Sequence, residues 1–293
     1  MSRRRLIIGQ IVCWIIVVGV AAFMGCAGKK AMVKTEEGVM LAYRLPEGKT
    51  LTYEKTENAT QSMDVMGQSV ETKTERTMTF KVTSKGVKDG EQALTLTVEA
   101  LEGSLETPQG SFSIDAASAI GKSFDMMLSV RGQESSLSGA DAIEYSMGLA
   151  GTRSIEPDFE AFFPDLPETR VKILGTWPSS DTINMKESGM DVQVVSNNLN
   201  VLQGFETIDG RECAKVAVEV NGSIAGAGMQ GGADLTFTGD MTGNEVWYFD
   251  YNAGVLVKSS SDLSVTATVN VTGPQEMTIP VTQTMHMSAD LLE

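Results

Sequence analysis

The chain reads as mainly β: long antiparallel strands in meanders that form a curved sheet or open barrel, with a short helical segment in the middle. Three observations predict this. Apolar and polar residues alternate over unusually long stretches, Gly-containing turn signals punctuate them, and the pattern occurs twice along the 293 residues. A two-sheet sandwich is the runner-up architecture.

The strands come first. From Val70 to Val82 one face carries Val70, Thr72, Thr74, Met78, Phe80 and Val82, and the other carries Glu71, Lys73, Glu75 and Lys81. A period of two with one solvated face is the signature of a half-buried antiparallel strand. Leu263, Val265, Ala267, Val269 and Val271 alternate with Ser264, Thr266, Thr268, Asn270 and Thr272. Met277, Ile279, Val281, Met285, Met287, Ala289 and Leu291 repeat the pattern near the C-terminus. Pro280 has no N–H for a ladder, which predicts an edge strand or a bulge there. Turns are expected at Asp89-Gly90, Asp209-Gly210, Asn252-Ala253-Gly254 and Asn270 to Pro274. Ala225 to Gly232 offers little to bury and reads as a flexible loop or hairpin tip.

The repeat comes next. Asp89-Gly90-Glu91, followed by Ala93 and Val98, matches Asp209-Gly210-Arg211, followed by Ala214 and Val218. Gly103-Ser104-Leu105 matches Gly222-Ser223-Ile224, and Gly121 to Gly132 matches Gly243 to Gly254. Gly48-Lys49-Thr50 is a looser partner of Gly175-Thr176-Trp177. Four matches in order at nearly one spacing predict a tandem duplication. The division is a first meander over 39–138, a connector over 139–169 and a second meander over 170–293. In the connector, Ala142, Ile143, Tyr145, Met147 and Leu149 are placed for a short amphipathic helix. Phe159, Phe162 and Phe163 then share one face of a helical turn opened by Pro157. These phenylalanines have two readings: a plug in the core between the meanders, or the lining of an apolar ligand site at a cavity mouth.

The N-terminus speaks about location. Arg3 to Arg5 precede an apolar run from Leu6 to Met24, which ends in Phe23-Met24-Gly25-Cys26. That is the layout of a secretory signal. The segment resembles the lipobox of bacterial lipoproteins, with Phe23 standing where Leu is usual. The resemblance implies a signal peptide over 1–25, diacylation of the Cys26 thiol as the lipid attachment, and an acylated tether over 26–38. An uncleaved signal-anchor helix is the alternative, since the run is close to the roughly 20 residues that span a bilayer. Both export everything after Cys26, because the arginines stay in the cytoplasm. Ala27, in place of the Asp that retains lipoproteins in the inner membrane, favours the outer membrane in a Gram-negative host.

The formal charge of −15 argues against nucleic acid and against electrostatic docking on anionic lipid. Cys13 lies in the signal and Cys26 would be acylated, so Cys213 is left and no disulfide is expected. It reads as an inert small residue; a reactive thiol beside Lys215 is the sharper option. His286 is the one histidine. In a strand it points away from Met285 and Met287, so the three cannot form one cage, and neither metal nor cofactor is expected. The Gly-x-Ser-x-Gly elbow, the Ser-x-x-Lys pair and the phosphate-binding glycine loop are absent from the sequence. A carboxyl pair assembled by the fold remains open. Leu166-Pro167 leading to Gly175-Thr176-Trp177, with Asp209-Gly210 beyond, is similar to a group of β-rich bacterial lipoproteins without an assigned activity. Function is therefore expected to be non-enzymatic: a membrane-tethered envelope protein holding an apolar ligand or lipid. The alternatives are an assembly partner of another envelope protein, without a small ligand, and an enzyme without a familiar motif.

Overall fold

The computed structural model describes residues 37–148, 151–187, 190–230, 233–272 and 276–292. The signal, Cys26 and most of the tether, together with Leu149, lie outside the described residues. Among the described residues, twelve of fourteen strands form one antiparallel sheet, in the order β6-β5-β3-β2-β1-β14-β13-β12-β11-β10-β9, with β4 added to β3. The first meander comprises β1 (Thr50–Val65), β2 (Gln68–Lys88), β3 (Glu91–Thr107), β4 (Gly110–Ser113), β5 (Ser123–Leu128) and β6 (Glu134–Ser138). The second comprises β9 (Thr176–Glu187), β10 (Met190–Ile208), β11 (Arg211–Gln230), β12 (Ala233–Asp250), β13 (Val255–Thr272) and β14 (Met277–Leu291). These strands reach 21 residues, several times the usual five or six. The sandwich alternative is thereby replaced by one curled sheet. β1 and β14 join the meanders.

Asp89-Gly90 and Asp209-Gly210 form the expected tight turns, with positive φ at both residues of each. Such φ pairs match the twist of flanking strands. Met66-Gly67 makes an equivalent turn between β1 and β2. β2–β3 and β10–β11 turn at one end of the body, which we call basal; β1–β2 and β9–β10 turn at the other, the distal end.

The connector differs from the sequence expectation. Ile143, Tyr145 and Met147 are all buried and alternate with exposed or half-buried neighbours. They flank and occupy β7 (Glu144–Ser146), which pairs β8 (Thr152–Ser154). The same apolar positions satisfy a period of two as well as part of a helical period, and tertiary pairing decides for the strand. Of the aromatic segment's expected helix, the described residues keep a 3-10 turn, Glu156–Asp158, with Pro157 in its first turn. Ala225 to Gln230 is also strand, the end of β11. Pro280 lies in β14, an interior strand rather than an edge. It falls one residue beyond the last β1–β14 pair, Met63↔Val281, so on that side it interrupts no ladder bond.

The connector also closes the seam. The Phe163 N–H donates to Glu134 Oε1 on β6 at 2.7 Å, and the Asn184 N–H on β9 donates to Glu160 Oε2 at 2.7 Å. Residues 160 to 163 span at most about 11 Å. The first and last strands of the sheet therefore approach one another across four connector residues, and the sheet is an open barrel strapped shut over part of its length.

Candidate functional site

Strand register sorts the inward face into strips running across the sheet, and their chemistry changes with height. The basal strips hold the core: Tyr53, Phe80, Leu96, Leu202, Val216, Trp247 and Phe249 are buried. The connector packs onto these. Phe159 lies 4.9 Å from Phe80 and 5.1 Å from Phe124; Phe162 lies 5.5 Å from Tyr53; Phe163 lies 5.5 Å from Tyr43. The three phenylalanines named from sequence thus sit inside an aromatic cluster that fills the barrel's basal half, each ring covered by protein.

At the same level Asp158 meets two cations. Arg76 donates to both its oxygens at 2.7 and 2.6 Å, and Lys55 Nζ donates at 2.8 Å. Arg76 also reaches Glu57 Oε2 at 2.5 Å and the Tyr145 hydroxyl at 2.7 Å. Burial alone would raise the Asp158 carboxyl, but Arg76 and Lys55 outweigh it and hold it well below the usual carboxylate range. This network ties the connector to β1 and β2.

Above the plug comes a polar belt. One strip reads Asp181, Ser196, Gly222, Met241, Val265, Gln283, Gln61 and Thr72 from β9 round to β2. Two strips lower, Glu245 points into the same interior between Val218 and Ser261. Burial, then the charge of Asp181, pushes Glu245 up to about 7 and Asp165 to about 6. Burial raises Asp181 too, against a hydrogen bond from Ser196. It also lifts Glu134 well above its ordinary value, where Asp181 and Asp165 add to it. Asn198 Nδ2 donates to Asp181 at 3.3 Å, while its Oδ1 is buried without a partner.

Distal to the belt the face turns apolar. One strip is Ile183, Val194, Ile224, Gly239, Ala267, Val281, Met63 and Val70. The next is Met185, Val192, Gly226, Phe237, Val269 and Ile279, and the last is Met190, Gly228, Leu235, Val271 and Met277. The centre is buried at Val192, Leu235, Ala267 and Val281, while Met63, Val194, Ile224, Phe237, Val269 and Ile279 are half-buried. This is a trough with a covered floor and accessible walls. Glycine makes the curl: a Cβ on Gly239 would sit 2.4 Å from Ala267 Cβ, and one on Gly243 would sit 2.3 Å from the Asp262 carbonyl oxygen. Small residues on the concave side let β12 and β13 close up.

The outward face is polar. A depression of about 890 Å³ crosses β2, β1, β14, β13, β12 and β11. His286 lies there, 2.8 Å from Asp262, exposed and on the opposite face to Met285 and Met287. Cys213 is fully buried, and burial pushes its thiol up to about 11. Among the described residues no cluster of His, Cys, Asp and Glu is arranged to hold a metal ion. Sequence reasoning missed the Arg76 network and the acidic belt. Asp181 and Glu245 did carry a signal, as charged residues on the apolar side of an alternating strand.

No protein-family model matches the chain, and no curated protein matches it. Solved structures that superpose on it include OpdQ of Pseudomonas aeruginosa, 8% identical, covering 84% of this chain and 100% of that one, with a TM-score of 0.29. An outer membrane channel of Pseudomonas putida F1 is 10% identical, covering 84% and 97%, with a TM-score of 0.25. A DUF1329 family protein of Desulfovibrio piger is 11% identical, covering 82% and 85%, at 0.13. Scores this low bear on neither function nor location.

Proposed function

We propose that the chain is an exported bacterial envelope protein, anchored to a membrane through lipid on Cys26, whose distal trough holds an apolar ligand such as an acyl chain. The observation that carries this is the change along one face. The basal half of the barrel interior is filled by the connector's phenylalanines, whereas the distal half keeps an equally apolar lining with half-buried walls. Concave, largely apolar sites bounded by a few polar groups are where small ligands bind. The site therefore moves from Phe159, Phe162 and Phe163 to residues such as Ile224 and Phe237.

Native mass spectrometry of the chain from residue 27 onward should show co-purified lipid. Ile224→Asp with Phe237→Asp should remove that mass while circular dichroism stays unchanged. An empty wild-type protein under conditions that preserve non-covalent complexes would refute the ligand. For the anchor, Cys26→Ser should accumulate precursor without fatty-acid label; a processed, labelled product from that variant would refute acylation at Cys26. A Gram-negative outer membrane location, suggested by Ala27, is read from fractionation of the same cells.

A further inference from the structure

The chain enters the described structure at the basal end of the barrel, and the surface there differs from that of the distal rim. Resting on the Cys26 anchor proposed above, we propose that the basal end is a docking face for the zwitterionic surface of the membrane that holds the anchor. The trough then opens away from that membrane.

The first support is the path of the chain. Residues 38 to 48 run across the basal end as a cover. The Val39 N–H donates to the Val171 carbonyl, the Tyr43 N–H to Val130, the Arg44 N–H to Gly254 and the Gly48 N–H to Ser84. Val39, Leu41 and Tyr43 are buried beneath this cover, while Met40 and Arg44 alternate with them and are exposed. From Cys26 to Glu37 the chain spans at most about 40 Å. β11 has 20 residues between its basal turn and its distal tip, roughly 65 Å of strand. The anchor therefore brings the basal end, rather than the distal one, to the bilayer.

The second support is what the cover and its neighbours expose. Val130 lies beside Tyr43 and is exposed, as Met40 is. Val87, next to the β2–β3 turn, is 66% exposed, and Leu174, in the turn after the Val39–Val171 pair, is 75% exposed. Arg44, Lys85, Lys88 and Lys172 stand exposed among them, with Glu47 and Asp89 interleaved. Apolar side chains set among both signs of charge suit a zwitterionic head-group layer: the apolar groups enter it, and long cationic stems keep their charge at its surface. The distal rim exposes Met66 and Met229 as well. There they stand among the exposed acids Asp64, Asp191, Asp234 and Glu276, which meet like charge at lipid phosphates.

The experiment couples the mature chain, from Cys26 onward, through that thiol to a maleimide phospholipid in phosphatidylcholine vesicles; Cys213 is spared because it is fully buried. Single added tryptophans report depth through quenching by bromines in the acyl chains, over a constant background from the buried Trp177 and Trp247. Val87→Trp and Leu174→Trp should each lose about half of their added fluorescence, since interfacial side chains reach the boundary between head groups and acyl chains. Met66→Trp and Met229→Trp should lose none. Val87→Asp with Leu174→Asp, both at exposed positions, should abolish the quenching of Met40→Trp. Quenching of the distal probes, or of no probe, overturns the docking face. So does a basal signal that rises with protein concentration in the absence of vesicles, because a second copy then covers that end. The lipid is coupled chemically, so these results stand apart from acylation in the cell, which the Cys26→Ser labelling decides.

Discussion

Asp158 and Glu245 are carboxyls in the interior of the same barrel, and the protein treats them in opposite ways. Asp158 lies in the sealed half, where Arg76 and Lys55 give its carboxyl two cations and three short contacts. Glu245 lies on the register strip of Ser261, Met287, Glu57 and Arg76, yet among the described residues no cation pairs with it, and burial first, then the charge of Asp181, pushes it up to about 7. Beside the connector, Asp158 is answered by two cations, whereas Glu134, which accepts from the Phe163 N–H, is raised by burial and by the nearby acids. Distal to the connector the apolar walls remain accessible. The difference marks which half serves stability and which half is open to something else.

The comparison breaks most readily at Asp158. Asp158→Ala strands Arg76 and Lys55 in the interior and should cost about 3–5 kcal/mol in denaturant unfolding. Next, Phe159→Ala in the plug should cost about 3–5 kcal/mol, because the ring is fully buried. Phe237→Ala in the half-buried trough wall should cost less than about 2 kcal/mol by the same measurement. Equal losses would mean the two halves are packed alike. Gly243→Ala should cost about 1–3 kcal/mol, since the added methyl meets the Asp262 carbonyl oxygen on the neighbouring strand.

Glu245→Gln tests the carboxyl that no cation answers. The folded-state value of about 7 lies above the ordinary 4.5. The protonated acid is thus fully accommodated below pH about 4.5, and stability is lost as pH rises through about 7. The variant should match wild type near pH 4.5 and exceed it by roughly 1–2 kcal/mol at pH 8, read as melting temperature against pH. Asp158 runs the other way: its depressed carboxyl stabilises above the ordinary carboxylate value and loses that contribution as pH falls into the strongly acid range. Smallest of all, His286→Ala should change stability by less than about 0.5 kcal/mol, because its pair with Asp262 is exposed.

Much of the architecture was legible in the sequence, because side-chain period depends only on local backbone geometry. The alternation at Val70–Val82 and at Met277–Leu291 yields β2 and β14, and the two Asp-Gly pairs yield their turns. Ile143, Tyr145 and Met147 were misread, since a short apolar run satisfies two periods and only its pairing with Thr152–Ser154 decides between them. Met66-Gly67 gave a weak signal: methionine rarely takes a positive φ, and long strands on either side impose it. The site was less legible. Phe162 and Phe163 announce burial in any sequence, but whether they plug or line an opening depends on how far the strands extend past them. Arg76, Asp158 and Lys55 are separated by up to 103 residues, and no local pattern links them.

The place of β14 bears on how this barrel is made. β1 pairs with β2 as soon as their hairpin forms, but its other edge waits for β14, which lies 232 positions further along at the Thr56–Ser288 contact. A chain delivered N-terminus first must therefore keep the open edge of β1, and the apolar side of the whole first meander, unmatched until its last long strand arrives. Pairings of such sequence separation form slowly and leave strand edges exposed to other chains in the interval. The strand that unites the two meanders is also the one on which safe assembly depends.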